Sequence, residues 1–298
     1  MERTLVYCIH EEKTIQEFLR EQGFSRHIMI QLKKIPQSVL VEGIWQRFHY
    51  RLQPGQTLRI RYTEEGNQKI LPVPLPLHIV YEDEDILILD KPSNMPVHPS
   101  QGNYENTLAN GLAYYFREKG ESFIFRCANR LDRDTTGLLA VAKHGISACI
   151  LSGFMKEHKI QREYYAVVSG KTPPSGRIDA PIGRAEGSTI ERKIDFVHGE
   201  RAVTHYRTVC YENGHSLLAI RLETGRTHQI RVHMKYIGHP LPGDFLYCPD
   251  YRIIKRQALH SARLTFPHPI TGKQMTFTSE FPKDFQNFFS LHMTKSML

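Results

Sequence analysis

The sequence predicts an α+β protein, and three observations carry that prediction. Leu58-Arg59-Ile60-Arg61-Tyr62 alternates apolar and polar residues with the period of a strand. Ile79-Val80-Tyr81 and Ile86 to Lys91 read as a hairpin that ends at Pro92. Helical spacing of apolar residues is confined to a few segments, chief among them His144 to Ile160. At 298 residues the chain is long enough for about two domains.

The first of these, Met1 to Tyr62, reads as a small separate unit. Ile15, Phe18 and Leu19 recur at helical spacing, and Ile28 with Leu32 marks a second helix. Val39 to Gly43 forms a short strand running into a turn, and Arg26, His27, Lys33 and Lys34 gather around the second helix. Residues 63–76, with Glu64-Glu65-Gly66 and the proline-rich Pro72 to Pro76, read as a linker. The main domain is expected over residues 77–298. In it, the helix from His144 to Ile160 carries Ile146, Ile150, Leu151, Phe154 and Met155 and ends in Lys156, His158 and Lys159. The run Arg162 to Gly170 alternates, with Tyr164, Ala166 and Val168 on one face and Tyr165 and Val167 on the other. Gly183 to Gly199, with Arg184, Arg192 and Lys193 and few apolar groups, reads as a mobile loop over a polyanion. Strands follow at Ala202 to Tyr206 and Leu217 to Leu222. A helix is expected to open near Thr227, with His228, Arg231 and Lys235 on one face and Ile230, Met234 and Ile237 on another.

Lysine and arginine exceed aspartate and glutamate by 39 − 31 = +8, with a pI near 9.2, a balance that suits a polyanionic partner. Five scattered cysteines without C-x-x-C spacing exclude a disulfide framework and a cysteine-rich zinc site, and point to a reducing compartment. No long apolar run follows Met1, so no signal peptide is expected, and no stretch suits a bilayer span. The expected location is cytoplasmic. His228 and His233 lie five apart, a poor spacing for one ion, so no metal is expected. No glycine-rich phosphate cradle is present, so no nucleotide cofactor is expected either.

The stretch that concentrates chemistry is Asn129-Arg130-Leu131-Asp132-Arg133-Asp134-Thr135-Thr136-Gly137, followed by the apolar Leu138 to Ala142. A buried strand that presents charged residues on a loop holds a reacting group steady. The same residues would also serve as a surface turn in which Asp134 and Thr136 bond their own backbone.

Arg130-Leu131-Asp132 with Asp134 to Gly137 resembles the active-site motif of RluA/RluD-type RNA pseudouridine synthases, with Asn129 standing where that family usually has histidine. Further matches follow in order. They are Asp90-Lys91-Pro92, Arg162-Glu163-Tyr164-Tyr165-Ala166, Gly225-Arg226-Thr227-His228-Gln229-Ile230-Arg231-Val232-His233 and Gly243-Asp244, spanning about Ile79 to Phe277. The resemblance implies a mixed, largely antiparallel sheet flanked by helices and loops. It also implies Asp132 as catalytic aspartate, Arg231 as its partner and Tyr164 against the target base. Arg130 would fill the space vacated by the extruded uridine, and Arg133, Arg226 and His228 are expected RNA contacts. Residues 1–62 resemble, in degenerate form, the RNA-binding domain of the ribosomal-protein-S-four type, with Glu42-Gly43 where Asn-Gly is usual. The implied activity is isomerisation of uridines in structured RNA, ribosomal or transfer, by a monomer without cofactor. Two other readings are a non-catalytic RNA-binding protein that kept the fold and a two-carboxylate glycosidase. The second needs a partner acid for Asp132, and Asp134 is the near one.

Overall fold

The computed structural model describes residues 1–66, 70–286 and 289. Residues 67–69 of the expected linker, and 287–288 and 290–298 of the expected main domain, lie outside the described residues.

The N-terminal part runs β1 (Glu2–Cys8), β2 (Lys13–Thr14), α1 (Ile15–Glu21), α2 (Arg26–Lys34), β3 (Val39–Val41), β4 (Ile44–Trp45), β5 (Arg51–Leu52) and β6 (Thr57–Thr63). Thr14 and Glu17 form a reciprocal capping box at the start of α1, and the Ser25 hydroxyl caps α2. Strand β6 alternates strictly between exposed and buried residues, with Leu58, Ile60 and Tyr62 turned inward. The order of this sheet is β1-β6-β3-β4. Its β3–β4 hairpin turns on Glu42 and Gly43, both at positive φ (48° and 80°), the backbone that Asn-Gly would adopt with less strain.

The remainder runs β7 (Ile79–Glu82), β8 (Ile86–Lys91), α3 (Leu108–Glu118), β9 (Thr136–Ala142), α4 (Gly145–Lys156), β10 (Gln161–Ser169) and β11 (Ser175–Asp179). It continues with β12 (Ile182–Arg184), β13 (Arg192–Ile194), β14 (Val203–Glu212), β15 (His215–Leu222), α5 (Gln229–Tyr236), β16 (Leu259–Pro267), β17 (Gln274–Thr278) and α6 (Lys283–Gln286). Nine of these strands form one sheet in the order β11-β14-β15-β10-β16-β9-β8-β7, with β17 added on β16. Every pairing is antiparallel except β16 with β9. The sheet is therefore mixed and largely antiparallel, as the resemblance implies.

Strand β10 shows how the alternation builds two layers. Tyr164, Ala166 and Val168 enter one core with Leu139, Leu218 and Ile230, while Tyr165 and Val167 pack on the other face against Phe281 and Phe285. Strand β9 is buried along its whole length, which explains its unbroken apolar sequence.

The helix expected over His144 to Ile160 ends four residues earlier, at Lys156. His158 turns the chain with φ 55°, and β10 begins at Gln161. Helix α4 is apolar on two sides because it lies between two cores. Ile146 and Ile150 enter the core of the N-terminal unit, and Leu151 enters a core of the main sheet. Polar contacts reinforce this junction. Arg3 donates twice to Asp85, at 2.8 and 3.1 Å, and Asp85 also bonds the buried His144 at 2.8 Å. The core of residues 1–62 is thus completed by α4.

The segment read as a mobile loop, Gly183 to Gly199, instead contains the two-stranded β12–β13 hairpin, paired Ile182↔Ile194 through Arg184↔Arg192. Few apolar residues suffice because Ile182, just before that segment, is buried with Val232 and Tyr247, and Ile194 within it packs on the same cluster.

Candidate active site

Asp132 lies on the loop before β9, and three devices hold that loop. The buried Asn129 side chain accepts the N–H of Ala140 at 2.9 Å and donates to the carbonyl of Leu138 at 3.4 Å. Asparagine in this position therefore works as a short strand partner for β9. Lys91, 1% exposed, donates to the carbonyls of Pro92, Met95 and Arg133 at 2.7, 2.9 and 2.8 Å. Burial pulls this amine down to about 7, against the upward pull of Asp134 and Asp132. Three acceptors need three N–H donors, so the socket is built for the ammonium form. At Gly137, φ is 105° and a Cβ would fall 2.2 Å from the carbonyl oxygen of Ser261, so only glycine lets β9 approach β16 this closely.

The opposing wall is α5. Arg231, 1% exposed, donates from Nη1 to Asp132 Oδ2 at 2.8 Å. Its Nε and Nη2 donate to the two oxygens of Asp244 at 2.6 and 2.8 Å. Asp244 is fully buried and also accepts the backbone N–H groups of Leu246 and Tyr247. One guanidinium thus bridges a buried structural carboxylate and a carboxylate open to the cleft, the fork geometry that arginine supplies and lysine does not. Gln229 accepts from Thr224 and from the Arg226 N–H while donating to Val203 and Thr204, which fixes the turn before α5.

Asp132 keeps 26% of its side chain exposed at a cleft of ≈ 210 Å³. Tyr164, Arg130, Arg162, Arg226, His228 and Arg231 share its lining. Burial pushes the Asp132 carboxyl up, but the charges of His228 and Arg231 outweigh it and hold it below its ordinary value. Burial also lowers His228 itself, so Arg231 is the cation that keeps Asp132 ionised at neutral pH. Burial raises the Tyr164 phenol, which stays protonated. The cleft therefore offers an ionised carboxylate, a neutral phenol and several guanidinium groups around a small enclosed space.

The loop and the α5 wall come from residues about a hundred positions apart, and Tyr164 comes from the strand between them. Not every residue singled out from the sequence joins them. Arg133 pairs with Asp134 at 2.7 Å and lies 5.2 Å from the Phe245 ring, lining a neighbouring depression. Arg226 lines the cleft but is tied to Glu200 and to the carbonyl of Arg201. His228 is not on the helix face with Arg231 as expected. Helix α5 opens at Gln229, and His228 takes the N-cap position at φ 59° without a side-chain capping bond, its Nδ1 bonded instead to the Tyr247 hydroxyl at 2.9 Å. Asp134 acts as a loop partner, accepting from Asn94 and Arg133.

Sequence reasoning missed Asp244 as the second partner of Arg231. It also missed Arg162, whose Nε is buried without a hydrogen-bond partner, and Gly225, where a Cβ would crowd the Arg162 guanidinium at 2.9 Å. The Gly243-Asp244 match was the available signal for the first.

His233 is buried between Thr204 and the Ala180 carbonyl, each at 2.9 Å, and anchors α5. Asp83, Asp85 and His268 bring potential ligand atoms within 4.8 Å of one another. Arg3, His144 and Tyr81 already use the carboxylates of that group, so its charge is met by protein groups. No helix among the described residues is long and apolar enough to cross a membrane.

A family model described as RNA pseudouridylate synthase matches residues 85–236. An uncharacterised RNA pseudouridine synthase, YjbO of Bacillus subtilis, is 39% identical over 91% of this chain and 96% of its own. A ribosomal large subunit pseudouridine synthase D of Zymomonas mobilis is 44% identical over 74% of each chain. Among solved structures, human RNA pseudouridylate synthase domain containing 1 superposes with a TM-score of 0.58 at 26% identity, covering 70% of this chain and 84% of that one. By this agreement of sequence and fold, the chain belongs to the RNA pseudouridylate synthase family, isomerases that act on RNA.

Proposed function

We propose that this enzyme isomerises uridines of ribosomal RNA, with Asp132 as the catalytic carboxylate, Arg231 as its partner and Tyr164 against the target base. The single observation that carries the reading is the Asp132–Arg231 pair, at 2.8 Å, open to a cleft that Tyr164 also lines. Pseudouridine formation breaks the base–ribose bond, turns the uracil and rejoins it through a ring carbon, without net redox change. Its first step needs an ionised carboxylate, as nucleophile at the anomeric carbon or as base toward a ribose proton. Arg231 maintains that charge where a lone carboxylate would be costly. Ribosomal RNA is favoured over transfer RNA by relatives named for the large ribosomal subunit, such as those of Zymomonas mobilis and Vibrio cholerae.

Residues 77–298 would form the catalytic domain and residues 1–62 an RNA-binding module, joined through residues 63–76. The basic residues of α2 and the half-exposed Trp45 support RNA contact by that module. A monomer is the proposed state, Asp132, Tyr164 and Arg231 meeting within one chain. The free cysteines suit the cytoplasm. Mapping pseudouridines in ribosomal and transfer RNA from cells with and without the protein tests the substrate. A site lost from transfer RNA alone would replace the ribosomal reading.

The exposed Arg130 lines the cleft beside Asp132. If it fills the gap left by an extruded uridine, Arg130→Ala should slow reaction on structured RNA by about tenfold more than on a short single strand, which has less stacking to lose. Equal losses on both would mean that Arg130 supports Asp132 directly.

A further inference from the structure

One hydroxyl joins three parts of the cleft. Tyr247, 7% exposed, follows Asp244 in the loop after α5, and its ring lies 5.0 Å from the Arg231 guanidinium. Its hydroxyl accepts the backbone N–H of Arg192, the first residue of β13, at 2.9 Å. The same oxygen bonds His228 Nδ1 at 2.9 Å. A phenol has one hydrogen to give. With the Arg192 N–H occupying one lone pair of the oxygen, the phenol hydrogen can be given to Nδ1, which is then the unprotonated nitrogen of the ring. The imidazole proton then lies on Nε2. His228 also holds a left-handed backbone at φ 59°, an unusual conformation for a side-chain-bearing residue that surrounding contacts must maintain.

We propose that Tyr247 fixes His228 as the neutral imidazole with its Nε2–H facing the cleft, where it donates a hydrogen bond to an acceptor oxygen of the target nucleotide. The inference rests on the reading of this cleft as the uridine site. The β12–β13 hairpin shares in the control, because the Arg192 N–H occupies the phenol oxygen as acceptor and leaves its hydrogen to be given to His228. Protonation of His228 would place a hydrogen on Nδ1, where it removes the acceptor for the Tyr247 hydroxyl, and add a positive charge felt by Asp132. The charged groups around the ring are Asp132 on its loop, Arg231 on α5, Asp244 beyond α5 and Arg192 on β13. Burial and the two arginines favour the neutral ring, against the two aspartates. His228 is thus a binding group, and Tyr247 is a positioning residue that acts through it.

The test is nitrogen NMR on protein labelled with 15N-histidine, the His228 signals being identified by their loss in His228→Gln. At pH 7 the wild type is expected to show the Nε2–H tautomer, and Tyr247→Phe a mixture of tautomers. Tyr247→Phe should also lower kcat about tenfold, the worth of roughly one hydrogen bond, and move the acidic limb of its pH profile upward. Glutamine carries an N–H near the Nε2 position and asparagine does not, so His228→Asn should lose about tenfold more activity than His228→Gln. An Nδ1–H tautomer in the wild type, or equal losses for glutamine and asparagine, overturns the proposal. So does a Tyr247→Phe that loses activity while its tautomer and pH profile are unmoved. Should Tyr247→Phe fail to fold, the wild-type spectrum and the His228 pair still decide. The spectra need no turnover, so the expected tautomer together with full activity of Asp132→Asn would reject the reading of the site and not that of the tautomer.

Discussion

Asp132→Asn is expected to abolish pseudouridine formation, by roughly four orders of magnitude or more, as when the central group of a catalytic set is removed. RNA binding should stay near wild type, because phosphates are held by other residues. Asparagine keeps the shape and one hydrogen-bond acceptor for Arg231 Nη1 but cannot act as nucleophile or base. Asp134→Asn is the internal comparison. Asp134 bonds Asn94 and Arg133 on the loop and does not line the cleft, so its loss should be mild. Single-turnover assays with binding measured in parallel give both readouts. Similar small effects at both positions would reduce the loop to a surface turn. Full turnover by Asp132→Asn would reject the site altogether.

Arg231→Ala is the second large effect, and it should appear in stability as well as rate. The guanidinium serves Asp132 and the fully buried Asp244, so its removal strands a buried carboxylate. Breaking a buried pair from one side costs about 3–5 kcal/mol, which denaturant unfolding will read. Tyr247 and His228 depend on the same loop, so a local rearrangement is expected before global unfolding. The rate effect acts through Asp132. Adding Arg231→Ala to Asp132→Asn should therefore cost little further activity, while the stability loss persists through Asp244. A variant of wild-type stability would show that Asp244 does not rely on this arginine.

The pH dependence follows from the same pair. Asp132 is held below its unfolded value, so the stability it contributes is full above the ordinary carboxylate range and is lost as pH falls through the lowered folded value. Without Arg231, burial is opposed by His228, only where that ring is protonated, and by a hydrogen bond from Gln257. The Asp132 pKa then rises, and the acidic limb of any residual activity should move to higher pH. An unmoved limb would mean that another group governs it.

Much of this was legible in the residues themselves. The alternation of Arg162 to Gly170 gave the two faces of β10, because a strand's side chains have a fixed period of two. The helical spacing of Ile15, Phe18 and Leu19 marked α1 locally. Ordered motifs identified the family, since each keeps its chemistry in a short contiguous run. The hairpin of Gly183 to Gly199 was harder to see. Its strands are three residues each, and their apolar partners, Val232 and Tyr247, lie far along the chain.

By itself, then, the sequence determined the α+β class, the family and the loop and helix that face each other across the cleft. These rest on local periodicity and on motifs that need no partner to be read. The tertiary structure alone decided that Arg231 serves two carboxylates, that His228 leaves the helix to meet Tyr247, and that α4 completes the N-terminal core. It also decided that Lys91 holds the Asp132 loop from beneath. Each of these depends on which buried polar or apolar group finds which distant partner, and a buried charge or hydrogen-bonding group reveals its role only through the atoms that satisfy it.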